Sequence, residues 1–311
     1  MPANEIQITI GSIQFNQSLS YDSNFYLLKN TPEILSTLST RKTDMEKQSE
    51  HGVEDSLSFY DARMLPFEGT IYGSTQAARK TMEEALKQAV ALPISQSYGG
   101  SDGYVLVLIT DEDGTEKQIY AKVLEPPKFG LVDDAMPELR SFEFVLYAKD
   151  PVIYGQSLTT ETGPESYLTT TFTIQDGALP TVQDGDLPTI QESTGSILTV
   201  SNGGTIGSPP TITISGPTTD PVVSNLTTGK SMDFSKGGGV SLGAGDTLTV
   251  NVSARTIVKT SGGTDTDVSG ALTDASDWIF IEPGDNEFTL FDDSPGDLSG
   301  QMQIDVRPAW I

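Results

Sequence analysis

The sequence predicts a mainly β protein in two parts, with one amphipathic helix in the first part and a helix-free antiparallel β-sandwich in the second. Three observations carry this. Composition breaks near residue 155: residues 1–155 hold 13 Lys or Arg and 23 Asp or Glu, residues 156–311 hold 5 and 20, and Thr, Ser, Gly and Pro dominate the second stretch. Only one segment, residues 75–91, repeats its apolar residues at three- and four-residue steps. Elsewhere, short runs of Val, Ile, Thr and Leu stand between Gly, Pro, Asn and Asp, as strands joined by turns do.

In the helix, Ala78, Met82, Ala85, Leu86, Ala89 and Val90 form the apolar stripe, and Arg79, Lys80, Glu83, Glu84 and Lys87 are expected to face outward. Ser74 or Thr75 supplies the N-cap oxygen, Glu83 and Lys87 form an i, i+4 pair, and Pro93 stops the helix. Strands are expected at Ile6–Ile10, Phe25–Leu28, Leu57–Tyr60 and Phe142–Tyr147, with a hairpin of Tyr104–Thr110 and Gln118–Leu124. Its turn, Asp111-Glu112-Asp113-Gly114, is acidic, but an EF-hand calcium loop needs more oxygen ligands and a helix on each side. An Asp-Gly hairpin turn accounts for it.

The second part offers strands at Ser196–Val200, Thr211–Ser215, Thr247–Val252, Trp278–Ile281, Glu287–Leu290 and Gln301–Val306, the spacing of a β-sandwich. Between the parts lies an eight-residue near-repeat, Thr173–Pro180 followed by Thr181–Pro188, with a third start at Thr189. So few copies make no solenoid, and their Asp-Gly turns and prolines read as a surface loop or edge hairpin, with a partner-binding ribbon as the alternative. The expected domains are 1–155, a linker with the repeat at 156–195, and the sandwich at 196–311, whose first strand can start earlier.

Chemistry finds little footing. With no cysteine there is no disulfide, thiolate nucleophile or zinc-thiolate site, and the single His51 would have to anchor any triad or histidine metal cluster. A net charge of -25 argues against an electropositive nucleic-acid face. No run of 18 apolar residues exists, and Met1–Gly11 lacks a signal peptide's basic start and apolar run, so a soluble, non-secretory protein is expected. Gly99-Gly100-Ser101-Asp102-Gly103 fits a nucleophile elbow in letters only, because a strand follows where a helix is required. Gly229-Lys230-Ser231 and Lys236-Gly237-Gly238-Gly239 resemble phosphate loops but lack the first glycine and a following helix, respectively. Asp292, Asp293 and Asp297 read as solvated acids, and Trp278 as either a core residue or a sugar-stacking platform. Asn16, Asn225 and Asn251 each open a glycosylation triplet.

Short motifs nevertheless follow one another in order along both parts. The first part carries His51-Gly52, Tyr60-Asp61-Ala62-Arg63, Phe67-Glu68-Gly69-Thr70-Ile71, the helix, Phe142-Glu143-Phe144 and the exit Asp150-Pro151-Val152-Ile153-Tyr154. The second carries Asn202-Gly203-Gly204, Pro210–Gly216, Pro221–Asn225, Thr228-Gly229, Gly245–Leu248, Arg255–Val258, Trp278, Pro283-Gly284 and Asn286. Taken in order, these motifs resemble the siphovirus distal tail protein family, the hub at the tip of long non-contractile tails. The departures are Val250-Asn251-Val252, where the family often has an apolar-Asp-Thr strand, and the octad repeat.

The resemblance implies a tail-tube-like β domain with one packed helix, then a galectin-like antiparallel β-sandwich. It marks Gly52, Arg63, Gly69, Asp150, Pro151, Tyr154, Asn225, Arg255, Trp278, Pro283 and Gly284 as structural positions, and no catalytic residue, metal or cofactor. It implies a homo-hexameric ring at the distal end of the virion tail, made in the host cytoplasm. Tail tube protein would lie on one face and a tail-tip hub or baseplate protein on the other, with receptor-binding or fibre proteins on the sandwich. DNA would cross the channel without specific binding, and nothing would insert in a membrane. The alternatives are a carbohydrate-binding adhesin acting through the sandwich and, with least support, a wall hydrolase. An acidic channel would repel phosphate, yet the second part is the more acidic, 5 − 20 = −15 against 13 − 23 = −10. Solubility is the expected source of the larger share, with a saline environment, where screening permits dense acidity, as one setting for it.

Overall fold

Alternation along the first part winds a sheet that closes on itself. The computed structural model describes residues 6–16, 24–29, 40–41, 45–46, 53–54, 59–91, 103–132, 134–164, 197–291 and 300–311. The chain divides into two units, Met1–Ser157 with Ala309–Ile311, and Leu158–Pro308. The expected repeat at 173–191, His51, Gly52, Pro93, Ser101 and the acids at 292–297 lie outside the described residues.

Unit one contains β1 (Gln7–Ile10), β2 (Ile13–Phe15), β3 (Phe25–Leu28), β4 (Arg63–Tyr72), helix α1 (Gln76–Ala89), β5 (Tyr104–Thr110), β6 (Glu116–Phe129), β7 (Leu139–Ala148) and β8 (Ile153–Gly155). Seven strands follow the order β7-β4-β3-β2-β1-β5-β6, and the pairing of β6 with β7 closes them into a barrel, which removes free edges from these strands. Two residues per period decide what fills it. β4 alternates Leu65, Phe67 and Ile71 inward with Met64 and Glu68 outward, and β7 turns Phe142, Phe144 and Leu146 inward. Phe15 sits among the rings of Tyr26, Phe67, Phe142 and Phe144. Each such burial contributes about 1.5–3 kcal/mol. Gly69 falls where the wall is tightest: a Cβ there would come within 2.2 Å of the Leu27 carbonyl oxygen and 2.6 Å of the Phe142 ring.

Thr75 caps α1, its Oγ1 accepting from the Ala78 amide at 3.1 Å. Met82, Leu86 and Val90 join the barrel core, and the Tyr26 hydroxyl donates to the Met82 carbonyl at 2.9 Å. The outward face expected from the sequence is corrected here. Arg79 and Glu83 are buried, the row Arg79-Glu83-Leu86-Val90 faces the protein, and Lys87 pairs with Glu84 at 2.6 Å instead of with Glu83. The reason is tertiary: Arg140, from β7, brings a second cation onto Glu83.

Unit two is a sandwich. β9 (Thr159–Pro164), β10 (Leu198–Asn202), β11 (Thr211–Ser215), β12 (Val222–Asn225), β13 (Lys230–Asp233), β14 (Thr247–Asn251), β15 (Thr256–Ser261), β16 (Thr264–Asp267), β17 (Gly284–Phe291) and β18 (Gln301–Val306) make two antiparallel sheets. Their orders are β9-β18-β11-β14-β15-β16 and β10-β17-β12-β13. Ile212, Ile214, Leu248, Val250 and Ile304 of the first share one core with Val200, Val223, Met232, Phe288 and Leu290 of the second. The strand expected at Trp278–Ile281 is not formed. Ile279 and Ile281 point inward as strand residues would, but the only ladder contact described there is one bridge between Ser208 and Ile281. The Ile281 carbonyl also accepts from Asn202 Nδ2, and the Asp277 amide donates to Ser231 O.

After β18 the chain returns to unit one as β19 (Ala309–Trp310), which pairs with β8 through Ile153–Trp310 and Tyr154–Ala309. Unit two is thus inserted between two paired strands of unit one.

Candidate functional site

Four of the marked positions meet at one corner of unit one. Arg63 starts β4 facing inward, and its Nε donates to the Pro151 carbonyl at 3.1 Å. Burial pulls the guanidinium pKa down from its usual value. Asp150 accepts from the Val152 amide at 3.1 Å through one oxygen and from the Tyr154 hydroxyl at 3.0 Å through the other. The Tyr154 hydroxyl titrates above its ordinary range, first because it is buried and then because the Asp150 charge opposes a phenolate. These contacts fix how the chain leaves β7 and enters β8, the last step before unit two.

A second corner lies in the sandwich. Asn225, Pro283 and Gly284 are joined by the buried Asn286, whose Oδ1 accepts from Asn225 Nδ2 at 3.2 Å and from the Glu282 amide at 3.1 Å. Asn286 Nδ2 donates to the carbonyls of Glu282 and Gly284, at 2.7 and 3.1 Å. One amide thereby holds the turn before β17 against the end of β12. Trp278 packs half-buried on the sandwich core, and Arg255 is exposed in the β14–β15 turn at φ +55°. The described marked positions therefore do not converge on a single cleft; each fixes a turn, a wall or a crossing.

The most demanding electrostatic feature was not legible as a motif. Glu83 takes the Arg79 guanidinium on one oxygen and Arg140 Nη1 at 2.6 Å on the other. The two arginines also grip backbone: Arg79 Nε donates to Pro137 O at 2.7 Å and Arg140 Nε to Gly130 O at 2.9 Å. Both ends of the 130–138 loop are so tied to α1. Only Arg79 and Glu83 at i, i+4 signal this in the sequence.

The other motifs resolve as structure. Gly114, at φ +83°, closes the β5–β6 turn, with its amide bonded to Asp111 O and Asp113 accepting from the Thr115 amide. Gly229 and Gly237–Gly239 occupy left-handed turn positions. Asn16 and Asn225 are buried, Asn16 bonded to Leu28 N and Ile6 O and Asn225 to Thr228 N and Asn286, which keeps both asparagines from an acceptor role. A hollow of about 280 Å³ on the barrel wall is lined by Lys29, Glu68, Lys128 and Glu143, which pair with one another or with Glu125. Among the described residues no group of three His, Asp or Glu is placed to hold a metal ion, and no helix is long and apolar enough to cross a membrane.

Residues 203–310 match the family model of the siphovirus-type tail component, C-terminal domain. No curated protein sequence matches the chain. Among solved structures, the chain is similar to the Dit protein of phage SPP1, described as a paradigm of the hub adsorption apparatus in phages that infect Gram-positive bacteria. The TM-score is 0.59 at 13% identity, over 99% of this chain and 100% of that one. Chains of the phage P2 baseplate in its activated conformation score 0.45 with calcium and 0.43 with strontium. Their identities are 11% and 12%, each covering 97% of this chain and 98% of theirs.

Proposed function

We propose, because residues 203–310 match the family model of the siphovirus-type tail component, that the chain is the distal tail hub protein of a phage with a long non-contractile tail. The family match carries this reading, and the fold shared with SPP1 Dit along both units supports it. Its work is structural. Unit one forms a homo-hexameric ring between the tail tube and the tail-tip or baseplate protein, and leaves a channel for the genome. The net charge of residues 1–155, 13 − 23 = −10, supports passage of DNA without adhesion. Unit two carries receptor-binding or fibre proteins. An adhesin that binds sugar directly has less support, since Trp278 is engaged with the sandwich core.

Mass photometry of the purified chain, together with immunogold labelling of virions, tests the reading. Six-copy particles and label at the tail tip are expected. A chain that stays monomeric at every concentration and is absent from the tail tip would sink it.

A further inference from the structure

Two surfaces of unit one expose large apolar side chains among the described residues. The first is a row across the outer wall. Register sets Tyr104 of β5 opposite Lys122 of β6, Lys122 opposite Tyr147 of β7, and Tyr147 opposite Met64 of β4. Directly opposed residues share a face, so these four side chains stand abreast over about 14 Å at a strand spacing of roughly 4.8 Å. Met64 is 50% and Tyr147 37% exposed, and in the adjoining positions of β6 Tyr120 and Leu124 are 51% and 50% exposed. Lys122 Nζ lies 4.5 Å from the Tyr104 ring centre, and Lys149 follows Tyr147 on the surface. Tyrosine and methionine are the side chains enriched in interface cores, and Lys122 and Lys149 add positive charge for an acidic partner to meet.

The second surface is the tip of the 130–138 loop, where Leu131 is 98%, Val132 36% and Met136 51% exposed. Its described residues include Asp134 and Glu138 and no Lys or Arg. Arg79 and Arg140 hold its carbonyls at Pro137 and Gly130, and the Gly73 amide holds Glu138 O at 3.1 Å. A loop held at both ends has less freedom to lose on binding.

Row and tip lie at opposite ends of one ribbon. Met64 pairs with Tyr147 at one end of β4 and β7, and Tyr72 pairs with Leu139 at the other, eight residues or roughly 27 Å away at about 3.4 Å per residue. An anchored tip cannot reach its own row, but it can reach that of another copy. We propose that the acidic, apolar loop tip of one copy docks on the Tyr104–Lys122–Tyr147–Met64 row of the next. Leu131, Val132 and Met136 cover the apolar side chains, and the Asp134 carboxylate faces Lys122 and Lys149. The proposal rests on the ring reading and gives the ring its two contact faces. Such a contact is heterologous, so it propagates from copy to copy and closes where the rotation allows.

The test is mass photometry and sedimentation of the full chain, of Leu131→Asp and of Tyr147→Asp, with folding checked by circular dichroism. Each substitution is expected to raise the concentration for half-assembly at least about 30-fold, as loss of a hot-spot residue does. A one-to-one mixture of the two variants should give dimers and nothing larger, because the intact tip of one meets the intact row of the other and both remaining surfaces are dead. Wild-type assembly that survives either substitution, or a mixture that forms no dimer, overturns the docking and leaves the ring reading standing. A wild-type chain that is monomeric throughout overturns the ring reading and the docking with it. Should an Asp variant misfold, Lys122→Glu replaces it: assembly weakens in the single variant and returns when Asp134→Lys is added, and no such rescue counts against the contact.

Discussion

Glu83 of α1 accepts from Arg140 of β7 at 2.6 Å, linking side chains 57 residues apart while its other oxygen is taken by Arg79. Arg79 is 1% exposed at its side chain and Glu83 5%, so neither charge has water to fall back on. Removing one member of a buried ion group strands the others, which costs about 3–5 kcal/mol. Glu83→Gln is therefore expected to lower the urea-unfolding free energy of unit one by about that amount. Glu84→Gln, whose partner Lys87 is exposed, should change it by less than about 0.5 kcal/mol. Equal effects from the two would remove the triad from any special role.

What the sequence revealed and what it hid divide along local and non-local lines. Thr211–Ser215 and Gln301–Val306 read as strands because their own alternation survives into the sandwich. The helix is legible from its period but its buried face is not, because Arg79 and Glu83 are polar and the reason they are buried, Arg140 and the loop beside it, lies elsewhere in the chain. Trp278–Ile281 has a strand's alternation and lacks a strand's neighbours, a difference that no window of sequence contains. Barrel closure through β6 and β7 and the return of β19 to β8 are also pairings at a distance. Of the marked positions, Gly69 could be seen as a glycine, but the Leu27 carbonyl that requires it could not. Arg63 could be seen as a charge, but not as the partner of Pro151 O.

Asn286 is fully engaged through four contacts, and its replacement should show this. Asn286→Ala leaves the carbonyls of Glu282 and Gly284 and the Asn225 amide short of partners inside the protein, at about 1–3 kcal/mol for a buried group left unpaired. Unit two should lose about 2–4 kcal/mol in denaturant unfolding. Asn251→Ala gives up a single contact, to the Ala254 amide in an exposed turn, and should cost about 1 kcal/mol or less. If the two variants unfold alike, the Asn225–Asn286 corner is not a structural anchor.

Alkaline pH should loosen unit one through its buried tyrosines. The Tyr26 hydroxyl donates to Met82 O, and burial pushes its pKa from 10.0 up to about 12. Tyr154 is raised as well, by burial first and then by Asp150. For groups whose folded pKa lies above the unfolded one, the stabilisation is complete below the unfolded value and is lost as pH rises through the folded value. Unfolding free energy should therefore fall above about pH 10, continuing to about pH 12. The difference curve against Tyr26→Phe isolates that tyrosine from titrating lysines: the variant should begin less stable and decline less steeply. Parallel curves would show that Tyr26 does not contribute to the slope.

The insertion of unit two between β8 and β19 makes the two tryptophans separate reporters. Trp310 closes unit one, paired with Ile153 and lying under Lys117 with the ammonium 4.9 Å from the ring centre, whereas Trp278 packs on the sandwich core. Since β8 and β19 are neighbours, replacing residues 158–308 with a short Gly/Ser linker joins strands that already pair, and unit one should still fold. In the full chain, Trp310→Ala removes a cation–π contact of about 0.5–2 kcal/mol along with its packing, so it should weaken unit one and leave the transition followed by Trp278 in place. Trp278→Phe provides the complementary probe, with fluorescence then coming from Trp310 alone. Denaturant curves on these variants should show two transitions with different midpoints. One shared midpoint that moves equally with Trp310→Ala and Asn286→Ala would mean that the units unfold together, and the insertion would not separate them energetically.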